Sequence, residues 1–135
     1  RYDLCTAAVL PPHLFRRAWH MPHELDLARL QEALALFTGT RDFQAFTANR
    51  SKPIANTIRT IASIRAVHSG RALRLTFQGE GFLYKMVRML TGAGVRVARD
   101  RESLDSMRAL LANPGTGRWT HVAPADGLTL VRVLY

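Results

Sequence analysis

Lys85 and Arg88 stand three residues apart in the stretch 81–94, GFLYKMVRMLTGAG, where apolar residues recur at helical spacing. Such spacing sets a cationic pair beside a packed face. An Arg held against a core presents its planar fork to an anion, either a protein carboxylate or a nucleic-acid phosphate. Other reactive side chains are sparse. Cys5 is the single cysteine, which excludes an internal disulfide and a cysteine-based metal cluster and fits a reducing cytoplasmic setting. His20 and His23 are spaced for a metal but have no third ligand nearby, so no metal site is expected and the segment reads as a loop packing Trp19 on the core. The glycines of GTGRW (115–119) have neither a strand before them nor a helix after them, which argues for a turn rather than a phosphate-cradling loop.

The chain carries 19 Lys plus Arg against 10 Asp plus Glu, a formal net charge of +9. Residues 1–40 hold four of each sign and residues 102–135 three of each, so residues 41–101 carry the whole excess, 12 against 3. Nearly all of these cations are Arg, whose geometry suits phosphate and base edges. A polyanion is the natural partner of so local a block, a solvated Arg-rich surface being the bland alternative. Within the polar segment 39–52, GTRDFQAFTANRSK, Phe43 and Phe46 lie among Arg41, Arg50 and Lys52, as a loop that stacks bases and binds phosphate requires. Two aromatics three apart would equally serve to anchor that loop to the core.

The elements that must position these groups follow from pattern. With 135 residues and 47% hydrophobic content the chain can bury a core and is expected to be a single domain, 1–135. No apolar run approaches membrane-spanning length. Residues 1–9 alternate like a strand, and 11–24, with three prolines, read as irregular. Asp26 is placed to cap a helix bearing Leu27, Leu30, Leu34 and Phe37, with Gly39 to end it. Residues 54–67 and 72–77 read as a hairpin turning at Ser69 and Gly70, which makes Arg59 and Arg65 candidates for one exposed face.

A second helix is expected over 82–99, where helical geometry gathers Lys85, Arg88, Gly92, Arg96 and Arg99 within an arc of roughly 80°. Gly92 and Gly94 each cost about 1 kcal/mol of helix propensity against Ala, which implies close approach of a backbone or a nucleic acid, or a break in the helix. Ser103 should cap a third helix through Leu111, and Leu128, Leu130, Val131 and Val133 a closing strand. The expected fold class is α+β, a mainly antiparallel sheet with helices packed on one face. Both ends read as strand, as in a domain of a longer protein.

Three segments, GTRDFQAF, GFLYKMVRMLTGAG and APADGLTLVRVLY, in this order and spacing, resemble the C-terminal half of the TruA-type tRNA pseudouridine synthases over essentially the whole chain. The resemblance implies isomerisation of uridine to pseudouridine in the tRNA anticodon stem-loop: the glycosidic bond breaks, the base rotates and reattaches through carbon. It also implies that neither cofactor nor metal is needed, that tRNA is the partner, and that the full-length protein is a homodimer. Arg88 aligns with the family's active-site Arg, which pairs with the catalytic carboxylate and would hold it ionised and oriented. Leu128 looks like the apolar wall against which the flipped-out uracil rests, with Tyr84 as a second pocket residue; a plain core Leu is the alternative at 128.

On the same resemblance Arg41, Phe43, Phe46, Arg50, Lys52, Arg59, Lys85, Arg96 and Arg99 form the RNA-facing surface. The family's nucleophilic Asp stands in an Arg-Thr-Asp-Ala-Gly-Val type motif that none of the six Asp residues here matches, so the chain alone is expected to be inactive. The chain departs from the family at Thr129, where Tyr is common, at Ala98, where Gly is common, and at GTGRW, which replaces a more basic stretch. Two other functions fit the residues without the resemblance: a non-catalytic RNA-binding module, and a structural or dimerisation domain whose Arg side chains pair with protein carboxylates.

Overall fold

A computed structural model of the chain describes residues 1–48 and 55–134. Five strands, β1 (Tyr2–Cys5), β2 (Trp19–His20), β3 (Gly39–Asp42), β4 (Ile58–Ser69) and β5 (Ala72–Gly79), form one sheet in the order β2-β1-β5-β4-β3. Only the β1–β2 pair is parallel. Strict alternation in β5 buries Leu73, Leu75 and Phe77 and exposes Arg74, Thr76 and Gln78. The same alternation sets Ile64 and Ala66 of β4 opposite Phe77 and Leu75 on the inner face. Three helices, α1 (Leu27–Leu36), α2 (Met86–Ala98) and α3 (Leu104–Ala112), complete the α+β layer arrangement. One continuous core joins Leu30, Ala33 and Leu34 of α1 and Met86, Leu90 and Ala93 of α2 to the inner face of the sheet.

Local chemistry sets most boundaries. The Asp26 carboxylate accepts from the Arg29 N–H at 3.2 Å and the Ser103 hydroxyl from the Ser106 N–H at 3.1 Å, which caps α1 and α3 as their sequences predict. The β4–β5 hairpin turns through Gly70 at φ +59°, the left-handed backbone that tight hairpin turns need. α2 is the central helix. Ten of its 13 residues are buried, which leaves Val87, Arg88 and Arg96 as its partly exposed positions. Its glycines are explained by protein packing: a Cβ on Gly92 would lie 2.8 Å from the His121 carbonyl oxygen, and one on Gly94 would lie 3.0 Å from Leu30 Cδ1.

Several elements differ from the sequence reading. Trp19–His20, within the segment read as irregular, pairs with Leu4–Cys5. Phe37 ends α1, and Gly39, at φ +93°, instead opens β3, so the first four residues of the supposed 39–52 loop are an edge strand. α2 starts at Met86 rather than Phe82, because Lys85 takes a left-handed conformation (φ +58°) that interrupts the helical path. The closing strand is not formed over residues 128–134. Leu128 makes one bridge to Tyr2, and the Thr129 N–H donates to the Arg1 carbonyl at 2.8 Å. Beyond that point Leu130, Val131, Val133 and Leu134 are exposed. An alternating apolar run becomes a strand only where a second backbone supplies the ladder.

Candidate active site and nucleic-acid interface

Arg88 lies on the first turn of α2 and is half-buried against the segment 121–124. Its Nε donates to the Ala123 carbonyl at 2.7 Å, and the Ala123 N–H returns a bond to the Arg88 carbonyl at 3.1 Å. The reciprocal pair locks side chain and backbone together. Gly92 is what lets the neighbouring His121 carbonyl come this near the helix, and the indole N–H of Trp119 donates to that same carbonyl at 2.6 Å. The four ion pairs among the described residues use Asp3, Asp100 and Asp105, and none includes Arg88. The guanidinium is therefore gripped along one edge by a carbonyl, while its terminal nitrogens are left without a protein carboxylate among the described residues.

Tyr2 closes the other side of this cluster. Its ring is fully buried, its hydroxyl donates to the Pro124 carbonyl at 2.6 Å, and its edge meets the Trp19 ring at a centroid distance of 6.4 Å. Burial pushes the Tyr2 phenol well above the usual tyrosine range, the Arg88 charge pulling the other way and that of Asp126 adding to the rise. Gly127 permits the closeness, since a Cβ there would fall 2.6 Å from the Asp3 carbonyl oxygen. Leu128, bridged to Tyr2, is 42% exposed, so it is a surface residue and not a core one.

A cationic surface lies at the end of the sheet where β4 begins and β5 ends. Arg41 and Arg59 are directly opposed across β3–β4, a like-charge pair that an isolated sheet disfavours, and neither is ion-paired among the described residues. Arg59 Nε would lie 3.9 Å from a Cβ on Gly81, which brings this pair up to the segment entering α2. There Phe82 and Tyr84 are exposed on either side of buried Leu83, and the Lys85 ammonium sits 5.3 Å from the Tyr84 ring centroid. The Tyr84 carbonyl accepts from both the Thr47 hydroxyl and the Ala48 N–H, tying this segment to residues 43–48.

Comparison with known proteins decides what such an arrangement belongs to. The family described as tRNA pseudouridine synthase matches residues 33–135. The chain belongs to the tRNA pseudouridine synthase family. It is 40% identical, over its whole length, to tRNA pseudouridine synthase A of Akkermansia muciniphila, of which it covers 53%. It is 36% identical to the protein of that name from Geobacillus kaustophilus and 33% identical to that from Methylacidiphilum infernorum, covering 52% and 53% of them. The chain thus spans about half the length of the curated relatives it matches.

For a member of the synthase family, the structure sorts the sequence-predicted site residues into groups. Arg88 and Leu128 are joined through Tyr2 and residues 123–124, while Arg41, Arg59, Tyr84 and Lys85 gather at the sheet end. Arg96 and Arg99 do not share that place: they lie two to three turns further along α2, about 12 and 16 Å by helical rise from Arg88. There Arg96 is half-buried, with its Nη2 donating to the Arg101 carbonyl at 3.3 Å. Phe43 and Phe46 are corrected outright as base-stacking residues. Both are fully buried, Phe46 packing edge-on against Phe37 at 5.3 Å, so they anchor the segment to the core and offer no face to a base. Arg50 and Lys52 fall outside the described residues.

The contacts of Arg88 and Tyr2 with the carbonyls of 123–124 were not foreseen from the sequence. The closing motif includes this segment, but carbonyl acceptors carry no side-chain signature. No group of three or more His, Cys, Asp or Glu side chains among the described residues could hold a metal. An open groove of about 430 Å³ between α3 and residues 116–121, lined in part by Leu110, Arg118, Trp119 and His121, contains none of the predicted site residues.

Proposed function

We propose that this chain is the C-terminal half of a tRNA pseudouridine synthase that isomerises uridine in the anticodon stem-loop, with the nucleophilic Asp supplied from outside residues 1–135. The observation that carries the reading is the state of Arg88: anchored by Nε on the Ala123 carbonyl, with its terminal nitrogens not ion-paired to any described residue. An incoming carboxylate would meet a preoriented bidentate donor that keeps it ionised, as a nucleophile must be. Leu128, grouped with Arg88 through Tyr2, is the apolar wall for the extruded uracil and Tyr84, exposed at the sheet end, a further base contact, with Arg41, Arg59 and Lys85 the nearer phosphate contacts and Arg96 and Arg99 a second, more distant set. Breaking N1–C1′ and forming C5–C1′ within one bound nucleotide needs no redox group or metal, so none is invoked. The intact protein is proposed to act on tRNA in the cytoplasm as a homodimer. No helix among the described residues is long and apolar enough to cross a membrane.

The experiment compares residues 1–135 alone with the same chain joined to its upstream coding sequence, each incubated with unmodified tRNA and assayed for pseudouridine. Activity of the longer protein and none from residues 1–135 is the expected result. Pseudouridine made by residues 1–135 alone overturns the division of the site, and salt-sensitive tRNA binding by the longer protein without turnover favours the non-catalytic RNA module.

A further inference from the structure

We infer that Tyr2 is a positioning residue that holds the Arg88 guanidinium and the Leu128 wall in one fixed relation, acting through the 123–124 backbone. The inference rests on the reading of Arg88 as the active-site arginine. Three separate contacts converge on Tyr2: its hydroxyl donates to the Pro124 carbonyl at 2.6 Å, its backbone bridges Leu128, and its strand position is set by pairing with Leu75 of β5. The Pro124 carbonyl is one peptide unit from the Ala123 carbonyl that accepts Arg88 Nε at 2.7 Å. Residue 124, being Pro, has no N–H with which to anchor itself, so the hydroxyl bond holds this unit from the acceptor side. The ring is fully buried and wedged against Gly127, where a Cβ would come within 2.7 Å of Tyr2 Cε1. Tyr2 does not need to touch substrate to matter. It fixes the carbonyl that aims Arg88 and the strand residue that carries the pocket wall.

Tyr2→Phe keeps the ring and its packing and removes only the hydroxyl, so the test separates positioning from folding. In the protein carrying its upstream half, single-turnover pseudouridine formation should slow about 10- to 100-fold, the penalty for an active-site group displaced by a fraction of an ångström to an ångström. KM for tRNA should stay close to that of the parent, and the thermal midpoint should fall by no more than the few degrees that one lost hydrogen bond costs. The discriminating arm places Tyr2→Phe in an Arg88→Lys background. Lys has no Nε–H for the Ala123 carbonyl to hold, so the second substitution should then change the rate by less than about 2-fold, the two residues acting as one unit. An unchanged rate for Tyr2→Phe, or the same fractional loss in both backgrounds, overturns the inference. Arg88→Lys and Arg88→Ala turning over normally would instead bring down the reading on which it rests.

Discussion

Gly92 and Gly94 sit two residues apart in α2, yet alanine should cost far more at the first than at the second. A Cβ at Gly92 meets backbone, the His121 carbonyl oxygen at 2.8 Å and the Ala123 nitrogen at 3.4 Å; at Gly94 it meets the ends of flexible side chains, Leu30 Cδ1 at 3.0 Å and Leu34 Cδ2 at 3.3 Å. Backbone cannot step aside without moving residues 121–123, so Gly92→Ala incurs an overpacking cost of about 1–3 kcal/mol. It also strains the reciprocal Arg88–Ala123 hydrogen bonds, each worth about 1 kcal/mol. The helix-propensity gain of about 1 kcal/mol offsets only part of this, leaving a net loss of about 2–4 kcal/mol where both bonds are lost. For Gly94→Ala the same gain faces only small leucine adjustments, so stability should stay within about 1 kcal/mol of the parent. Urea unfolding followed by tryptophan fluorescence reads the difference, with an unchanged slope showing that stability alone has moved. A Gly92→Ala protein as stable as its parent, or less affected than Gly94→Ala, would refute the argument that the 121–124 segment is pressed against α2.

Three further outcomes follow from named contacts. The Tyr2 phenol is raised above its unfolded value, so the stability its neutral form contributes is complete below the unfolded tyrosine pKa of about 10 and is lost as pH climbs beyond it. Unfolding midpoints at pH 8 and pH 11 should therefore fall further for the parent than for Tyr2→Phe, and equal falls would contradict the burial of that hydroxyl. If about five basic side chains meet phosphate, log affinity for tRNA should decline against log salt with a slope of roughly 3 to 5, and replacing Arg41 and Arg59 by Gln should reduce it by about 1.5 to 2. A flat salt response would point to protein carboxylates as the true partners. Asp26→Ala removes the cap on Arg29 and should cost about 1 kcal/mol in urea unfolding, whereas a neutral result would mean that the 3.2 Å bond contributes nothing in solution.

How much was legible in the sequence depended on whether the signal lay in side chains or in backbone. α1, α3 and the β4–β5 hairpin were readable because Asp26, Ser103 and Gly70 are residues whose chemistry demands a cap or a turn. The edge strands were not. Gly39–Asp42 reads GTRD and is joined to β4 by main-chain pairing, which leaves no hydrophobic period to detect. Residues 128–134 fail the other way, with a clear apolar alternation and a single bridging contact, since propensity without a neighbouring strand does not make a sheet. At the site, Arg88 and Leu128 were visible as a motif, but the reason Arg88 is held depends on the Ala123 and Pro124 carbonyls and on Tyr2, 86 residues earlier in the chain (88 − 2). Phe43 and Phe46 show the reverse hazard: aromatic spacing beside arginines serves core anchoring as readily as base stacking, and here burial decides for the core.

Arg88 is proposed to receive a carboxylate from outside residues 1–135. The most direct test of this role is the single-turnover rate of pseudouridine formation by the protein with its upstream half, comparing Arg88→Ala with the parent on the same tRNA. The expected result is a rate loss of at least about 100-fold, typical of removing one preoriented charged donor, with tRNA affinity changed only a few-fold. A variant that turns over at the parent rate would contradict it.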